Sequence, residues 1–187
     1  FDATRWPLFK HTLKPWRQTG DNIIILGQHD ASEQWSGMPG MKAWFEQQIE
    51  QIRKHTNRPI QVRPHPRNPV GLDTKKYKNV TVTRPIMDSN TIDDTNFKDT
   101  LNNAWAVVNH SSNPAMEAVI NGIPVFVSES SLCYDVGNHS LENINNPKMP
   151  DRQNWANQLS YTEWFQDEIE KGLPWKKIKE RLLKNYL

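Results

Sequence analysis

His110-Ser111-Ser112-Asn113-Pro114-Ala115-Met116-Glu117-Ala118-Val119-Ile120-Asn121-Gly122-Ile123-Pro124-Val125-Phe126-Val127 is the stretch that decides the fold. Just before it, Ala104 to Val108 is an apolar run that reads as a buried strand. Two hydroxyl residues follow, then a short helix from Pro114 to about Asn121 with Glu117 inside it. Gly122 ends that helix, and Pro124 opens a second apolar run over Val125 to Val127. The whole is a strand–loop–helix–strand unit.

The same alternation runs upstream. Asn22 to Leu26 (N-I-I-I-L) carries a buried-strand signal and ends at Gly27-Gln28. A loop rich in Gly and Pro spans Ser36 to Gly40. Met41 to His55, with apolar Ala43, Trp44, Ile49 and Ile52 at mixed three-to-five spacing, reads as an amphipathic helix. Pro59 to Val62 and Val80 to Val82 read as short strands, and Asp93 or Asp94 as the cap of a helix running to about Asn103. Alternating strands and helices predict an α/β fold: a Rossmann-like, mostly parallel sheet with helices on both faces. Beyond Ser128 a long loop gives way to helix signals only, near 151–159, 161–171 and 174–185. Ser160 with Glu163 matches a capping box for the middle helix, and Gly172 and Pro174 separate it from the last. The chain thus divides into an arm or linker at 1–20, a Rossmann-like domain at 21–150 and a C-terminal helical extension at 151–187.

Composition narrows the function classes. At 187 residues there is room for one domain with extensions. A formal charge of +2 creates no strong field for nucleic acid. A single Cys excludes an internal disulfide framework and a Cys-only zinc site, and fits a reducing, cytoplasmic setting. No apolar run approaches the ~20 residues of a membrane span, and no signal peptide is visible. The chain starts at Phe1 rather than Met, which reads as a fragment or a processed product.

The hydroxyls and backbone N–H groups of Ser111 and Ser112, at a helix N-terminus, suit an anion. They are equally suited to plain N-capping, which uses the same geometry. Glu117 is either an ordinary surface carboxylate or an acceptor for sugar hydroxyls. Serines for a phosphate and a carboxylate for a ribose together suit a nucleotide. His65 sits in Arg63-Pro64-His65-Pro66-Arg67, a basic turn after a strand, and its positive charge suits a diphosphate leaving group. Gln28 and His29 are a polar pair after a buried strand, so either a simple loop or part of the same surface. Asp135 and His139 are a weaker acid–base pair, and Cys133 reads as a packed thiol. Trp155, Trp164, Phe165 and Trp175 read as helix-packing anchors. Lys176, Lys177, Lys179, Arg181 and Lys184 read as the solvated face of the last helix.

R-P-H-P at Arg63–Pro66, followed by H-S-S-x-x-x-x-E-A-V-x-x-G-I-P-V at His110–Val125, resembles the donor-binding C-terminal half of GT-B glycosyltransferases. The motifs are most similar to those of capsule-type enzymes: polysialyltransferases, Kdo transferases and CDP-glycerol transferases. L-K-P-W-R at Leu13–Arg17 and Y-T-E-W-F-Q-D-E-I-E-K-G-L-P-W at Tyr161–Trp175 resemble bacteriophage glycosyltransferases. The resemblance implies that His65, Arg63, Ser111 and Ser112 bind the donor phosphate, that Glu117 binds the donor ribose, and that Gln28 lies in a loop facing the cleft. It implies a nucleotide-sugar as substrate, with no cofactor and no metal, since no D-x-D motif is present. It implies transfer to a hydroxyl acceptor, with hydroxymethylated phage DNA among the candidates, given Lys75, Lys76 and Lys78 and the basic last helix. GT-B enzymes have two Rossmann-like halves and only one fits here. A missing N-terminal half or partner chain would then hold the catalytic base, and no catalytic residue is assigned. A non-catalytic nucleotide- or polyanion-binding module and a sugar-nucleotide epimerase are the alternatives.

Overall fold

A computed structural model describes residues 2–86 and 96–186. Its chain forms two compact units, one of residues 12–152 and one of residues 1–11 with 153–187.

The larger unit is built on five strands, β1 (Asn22–Leu26), β2 (Ile60–Arg63), β3 (Val80–Val82), β4 (Ala104–Asn109) and β5 (Val125–Phe126). They lie in the order β3-β2-β1-β4-β5 and every pairing is parallel. The expected α/β, Rossmann-like sheet is therefore present, with no antiparallel strand among the described residues. β1 lies at the centre, and Ile23, Ile24 and Ile25 are all 0% exposed. A strand covered on both faces reads as an unbroken apolar run rather than an alternating one. Each of those isoleucines contributes ~1.5–3 kcal/mol of burial.

Helix α1 (Met41–Arg53) links β1 to β2, α2 (Phe97–Leu101) precedes β4, and α3 (Pro114–Ile120) links β4 to β5. Right-handed crossovers put α1 on one face and α2 and α3 on the other. The side chains of β2 agree with this. Ile60 and Val62 join the core made with Trp44, Phe45, Ile49 and Ile52 of α1. Arg63 points the opposite way, and its guanidinium lies 5.7 Å from the Phe97 ring of α2. The cap expected at Asp93 or Asp94 lies outside the described residues.

Residues 12–20, expected as part of an arm, belong to the sheet unit. Lys14 N–H donates to Ile120 O at 2.9 Å, and Arg17 N–H to Gly122 O at 2.7 Å. Arg17 Nη1 reaches Leu101 O at 2.6 Å, and Arg152 lies 3.9 Å over the Trp16 ring. Arg17 thus goes to a carbonyl at the end of α2, where a cation is favoured, and Lys14 Nζ donates to the side-chain oxygen of Asn121 at 2.7 Å.

In the smaller unit, Trp6–Phe9 forms a 3₁₀ turn, followed in sequence by α4 (Gln153–Leu159), α5 (Gln166–Glu170) and α6 (Leu173–Tyr186). Arg5 organises it. Its Nε donates to Ser160 O at 2.8 Å and its Nη2 to Glu163 O at 2.8 Å; it also pairs with Glu168 and stacks 4.1 Å over Trp164. This shortens the middle helix relative to the expected 161–171. Ser160 bonds back to Asn157 O at 2.7 Å and ends α4, so it opens no capping box with Glu163. Glu168 takes that task, accepting the Phe165 N–H at 2.8 Å. Trp155 is buried as an anchor should be, but Trp175 is 62% exposed and Phe165 41%. The outer surface of α6 is therefore shared by lysines and by exposed Trp175, Ile178 and Leu182.

Candidate functional site

In an open parallel sheet, ligands bind outside the carboxyl ends of the strands, where the strand order reverses. That point lies between β1 and β4. The loops leaving β1, β2 and β4 converge there around a cavity of about 980 Å³, at the upper end of the ~300–1,000 Å³ typical of ligand sites. Gln28, Arg63, His65, Ser111, Ser112 and Glu117 all line it. His29 and Arg67 line it too.

Close approach of two strand ends makes the site possible. A Cβ on Gly27 would sit 2.7 Å from the Phe45 ring and 3.2 Å from both His65 N and Pro64 Cα. Glycine thus lets the first loop run against the second. Asp30 pins the same loop from the far side by accepting the first N–H of α1, from Met41, at 2.8 Å.

Gln28 ties the three loops together and is 5% exposed. Its amide nitrogen donates to Ser32 Oγ at 3.0 Å, its Oε1 accepts from Ser111 Oγ at 3.1 Å, and its carbonyl accepts from Asn68 at 3.3 Å. Both ends of the amide are engaged, so Gln28 sets loop spacing rather than offering a free group. Ser111 also meets His110 Nδ1 at 3.1 Å. A consistent chain runs from His110 Nδ1–H through Ser111 to Gln28 and Ser32. Ser112 differs. Its Oγ accepts the side-chain N–H of Asn109 at 2.7 Å, which leaves its own proton free for a ligand.

His65 and His29 share one local design. His65 Nδ1 accepts the N–H of Arg67 at 3.1 Å, and His29 Nδ1 accepts the N–H of Ala31 at 3.0 Å. In the neutral ring the proton must then sit on Nε2, so both imidazoles are donors at that atom. The rings meet edge to face with centroids 5.5 Å apart. Burial lowers the pKa of His65, helped by His29 and Arg67 nearby. Burial alone lowers that of His110, which packs edge-on against Trp35.

Arg63 is only 3% exposed, and its guanidinium turns toward α2, donating to Thr100 Oγ1 at 2.9 Å and Asn96 Oδ1 at 2.5 Å. It supplies positive charge beneath the cavity, whereas Arg67 is exposed at its rim. The Glu117 carboxylate is half-buried and has no hydrogen-bond partner among the described residues.

The remaining sequence candidates lie elsewhere. His139 stacks on Tyr134 with centroids 3.9 Å apart, and its Nε2 meets Tyr134 O at 2.9 Å, so that nitrogen is committed to a backbone carbonyl rather than to Asp135. It lines a separate cavity of about 450 Å³ near Trp44 and Phe126. Cys133 is buried, and burial pushes its thiol up to about 12, so it is a packed thiol. No group of three or more His, Cys, Asp or Glu among the described residues is placed to hold a metal ion. No described helix is long and apolar enough to cross a membrane.

The residue that sequence reading missed is Asn109. The strand was expected to stop at Val108, but it continues to Asn109, which is 3% exposed and holds Ser112. A polar residue closing a buried apolar strand was the available signal. The Asn109 Oδ1 is the one buried side-chain oxygen without a partner among the described residues.

No protein-family model, curated protein or solved structure matches this chain.

Proposed function

We propose that this chain is the donor-binding half of a GT-B-type glycosyltransferase, holding a nucleotide-sugar in the cavity at the β1/β4 switch point. The observation that carries this reading is the convergence of His65, Ser112 and Glu117 on one cavity, with two kinds of unengaged group. On the phosphate side are the Nε2–H of His65 and the hydroxyl of Ser112. On the other side is the unpartnered carboxylate of Glu117, one turn along α3, suited to a pair of ribose hydroxyls. Donors that meet charge developing on a departing phosphate act chiefly on the transition state.

None of the described residues lining the cavity is placed as a general base. Both imidazoles are donors at their free nitrogen, and Glu117 is assigned to the ribose. Deprotonation of an acceptor hydroxyl therefore falls to a group other than these, and a second half or a partner chain is where we place it. The same feature favours one alternative, a nucleotide-binding module without chemistry of its own. The acceptor we favour is a hydroxyl-bearing polymer. The exposed Lys75, Lys76 and Lys78 suit a polyanion such as hydroxymethylated DNA, while a net charge of +2 gives little nonspecific DNA binding. A cytoplasmic setting belongs to the same proposal.

Thermal unfolding with UDP-, CMP-, CDP- and GDP-sugars tests the binding step. A ligand at 100 times its dissociation constant adds ~2.7 kcal/mol of stability. Stabilisation by one class of donor is expected; no stabilisation by any would overturn the reading. Transfer of radiolabelled sugar to hydroxymethylated duplexes and to glycans, by the full-length protein, separates an enzyme from a binding module.

A further inference from the structure

The anion-facing wall holds more donors than a single phosphate uses. On the β4 side stands the hydroxyl proton of Ser112. On the β1 and β2 side stand the Nε2–H groups of His29 and His65, fixed by the two backbone bonds to their Nδ1 atoms. Arg67, whose backbone N–H bonds His65, is exposed at the cavity rim, and its guanidinium has no hydrogen bond among the described residues. Arg63 lies beneath, and among the described residues Glu117 is the only carboxylate lining the cavity. A phosphodiester carries one negative charge on two unshared oxygens. Ser112 and His65 satisfy it, and His29 with Arg67 then have nothing to bind. A substituted diphosphate adds a second charge and two more unshared oxygens, which matches the surplus.

We infer that the cavity is built for a nucleoside diphosphate rather than a nucleoside monophosphate, and that His29 is the residue that binds the second phosphate. This rests on the proposed donor site. Ser112 and His65 hold the phosphate nearest the nucleoside, on the side of Glu117. His29 and Arg67 hold the distal phosphate, the one that bears the sugar and leaves with the nucleotide. Because Nε2 of His29 donates, its part is to hold the leaving group through that N–H, not to take a proton from the acceptor.

Two substitutions separate its two nitrogens. His29→Asn keeps an acceptor for the Ala31 N–H, as in an Asx turn, and removes the Nε2 donor. His29→Gln places an amide N–H near the lost Nε2 and restores donation. The experiment is calorimetric titration, in EDTA, of ADP, CDP, GDP and UDP and of the four matching monophosphates. The wild type is expected to bind the diphosphate of its preferred base at least tenfold tighter than the monophosphate. His29→Asn is expected to lower diphosphate affinity by about tenfold or more, the worth of one hydrogen bond to a charged group, while monophosphate affinity stays within about twofold. His29→Gln is expected to recover most of the loss. Independently of any variant, the ring nitrogen resonances of His29 are expected to shift on adding the diphosphate and to stay in place with the monophosphate.

A monophosphate that binds as tightly as the diphosphate overturns the inference and leaves the nucleotide site standing. So does a diphosphate preference that survives His29→Asn, or an equal loss for both nucleotides. Absence of binding by all eight nucleotides overturns this inference and the donor site together.

Discussion

Asn109, at the carboxyl end of β4, donates its side-chain amide to the hydroxyl of Ser112 at 2.7 Å. That bond distinguishes two serines that look equivalent in sequence. Ser112 keeps its proton for a ligand, whereas Ser111 spends its proton on Gln28. Ser112→Ala is therefore expected to weaken nucleotide binding more than Ser111→Ala, by about tenfold against a few-fold. Titration of each variant with the stabilising nucleotide checks this. Equal losses, or a larger loss from Ser111→Ala, would refute the assignment.

Glu117 is expected to grip the ribose. Glu117→Ala removes a hydrogen bond to a charged acceptor, worth ~1.5–3 kcal/mol. Comparing a nucleotide with its deoxyribose analogue isolates the contact. The wild type should penalise the deoxy form, and the variant should penalise it much less. Identical penalties would place Glu117 away from the sugar.

Acid should destabilise the fold through its half-buried imidazoles. His65 and His110 both have pKa values held below the ordinary 6.5 by burial. The unfolded chain then binds protons more readily than the folded one, so unfolding takes up protons in that range. Stability is lost as pH falls below 6.5, and the loss stops once the folded rings are themselves protonated. His65→Asn keeps the acceptor for Arg67 N–H and lacks the titration. Wild-type stability relative to that variant is thus expected to fall between pH 7 and pH 5 in denaturant titrations. A pH-independent difference would contradict the assignment.

Arg152 holds the segment before β1 against α3. It is 6% exposed, stacks on Trp16, and bonds the carbonyls of Val119 and Lys14. Arg152→Ala takes the guanidinium from both carbonyls, leaving Val119 O with only the Gly122 N–H, and should cost about 2–4 kcal/mol in chemical denaturation. A loss under about 0.5 kcal/mol would mean that water replaces the guanidinium without penalty.

The centre of the sheet was legible because β1 and β4 carry unbroken apolar runs. Ile23–Ile25 and Ala106–Val108 can only be strands covered on both faces, and the turns after them carry glycine or proline. The candidate site was legible where residue type and local context coincide, at His65, Ser112 and Glu117. What sequence could not supply were relations made by the fold. Gln28 read as either a simple loop residue or part of the site's surface, and its burial comes from Ser32, Asn68 and Ser111 closing around it. Arg63 resembled a phosphate ligand, yet a partner on α2 takes its guanidinium. Residues 12–20 resembled a linker by composition, yet Gly122 admits their backbone so closely that a Cβ there would lie 2.1 Å from Pro15 O. In the smaller unit, Arg5 draws Ser160 and Glu163 away from the helix start that their spacing suggests.

The most direct test of the donor site is calorimetric titration of the wild type and a His65→Asn, Ser112→Ala double variant with the nucleotide-sugar that most raises thermal stability. Both substitutions remove a free donor and leave the backbone turn intact. The expected result is saturable binding to the wild type and an affinity lower by about 100-fold or more in a variant that melts within a few degrees of it. Unchanged affinity in the folded variant would show that the cavity between β1 and β4 is not where the nucleotide binds.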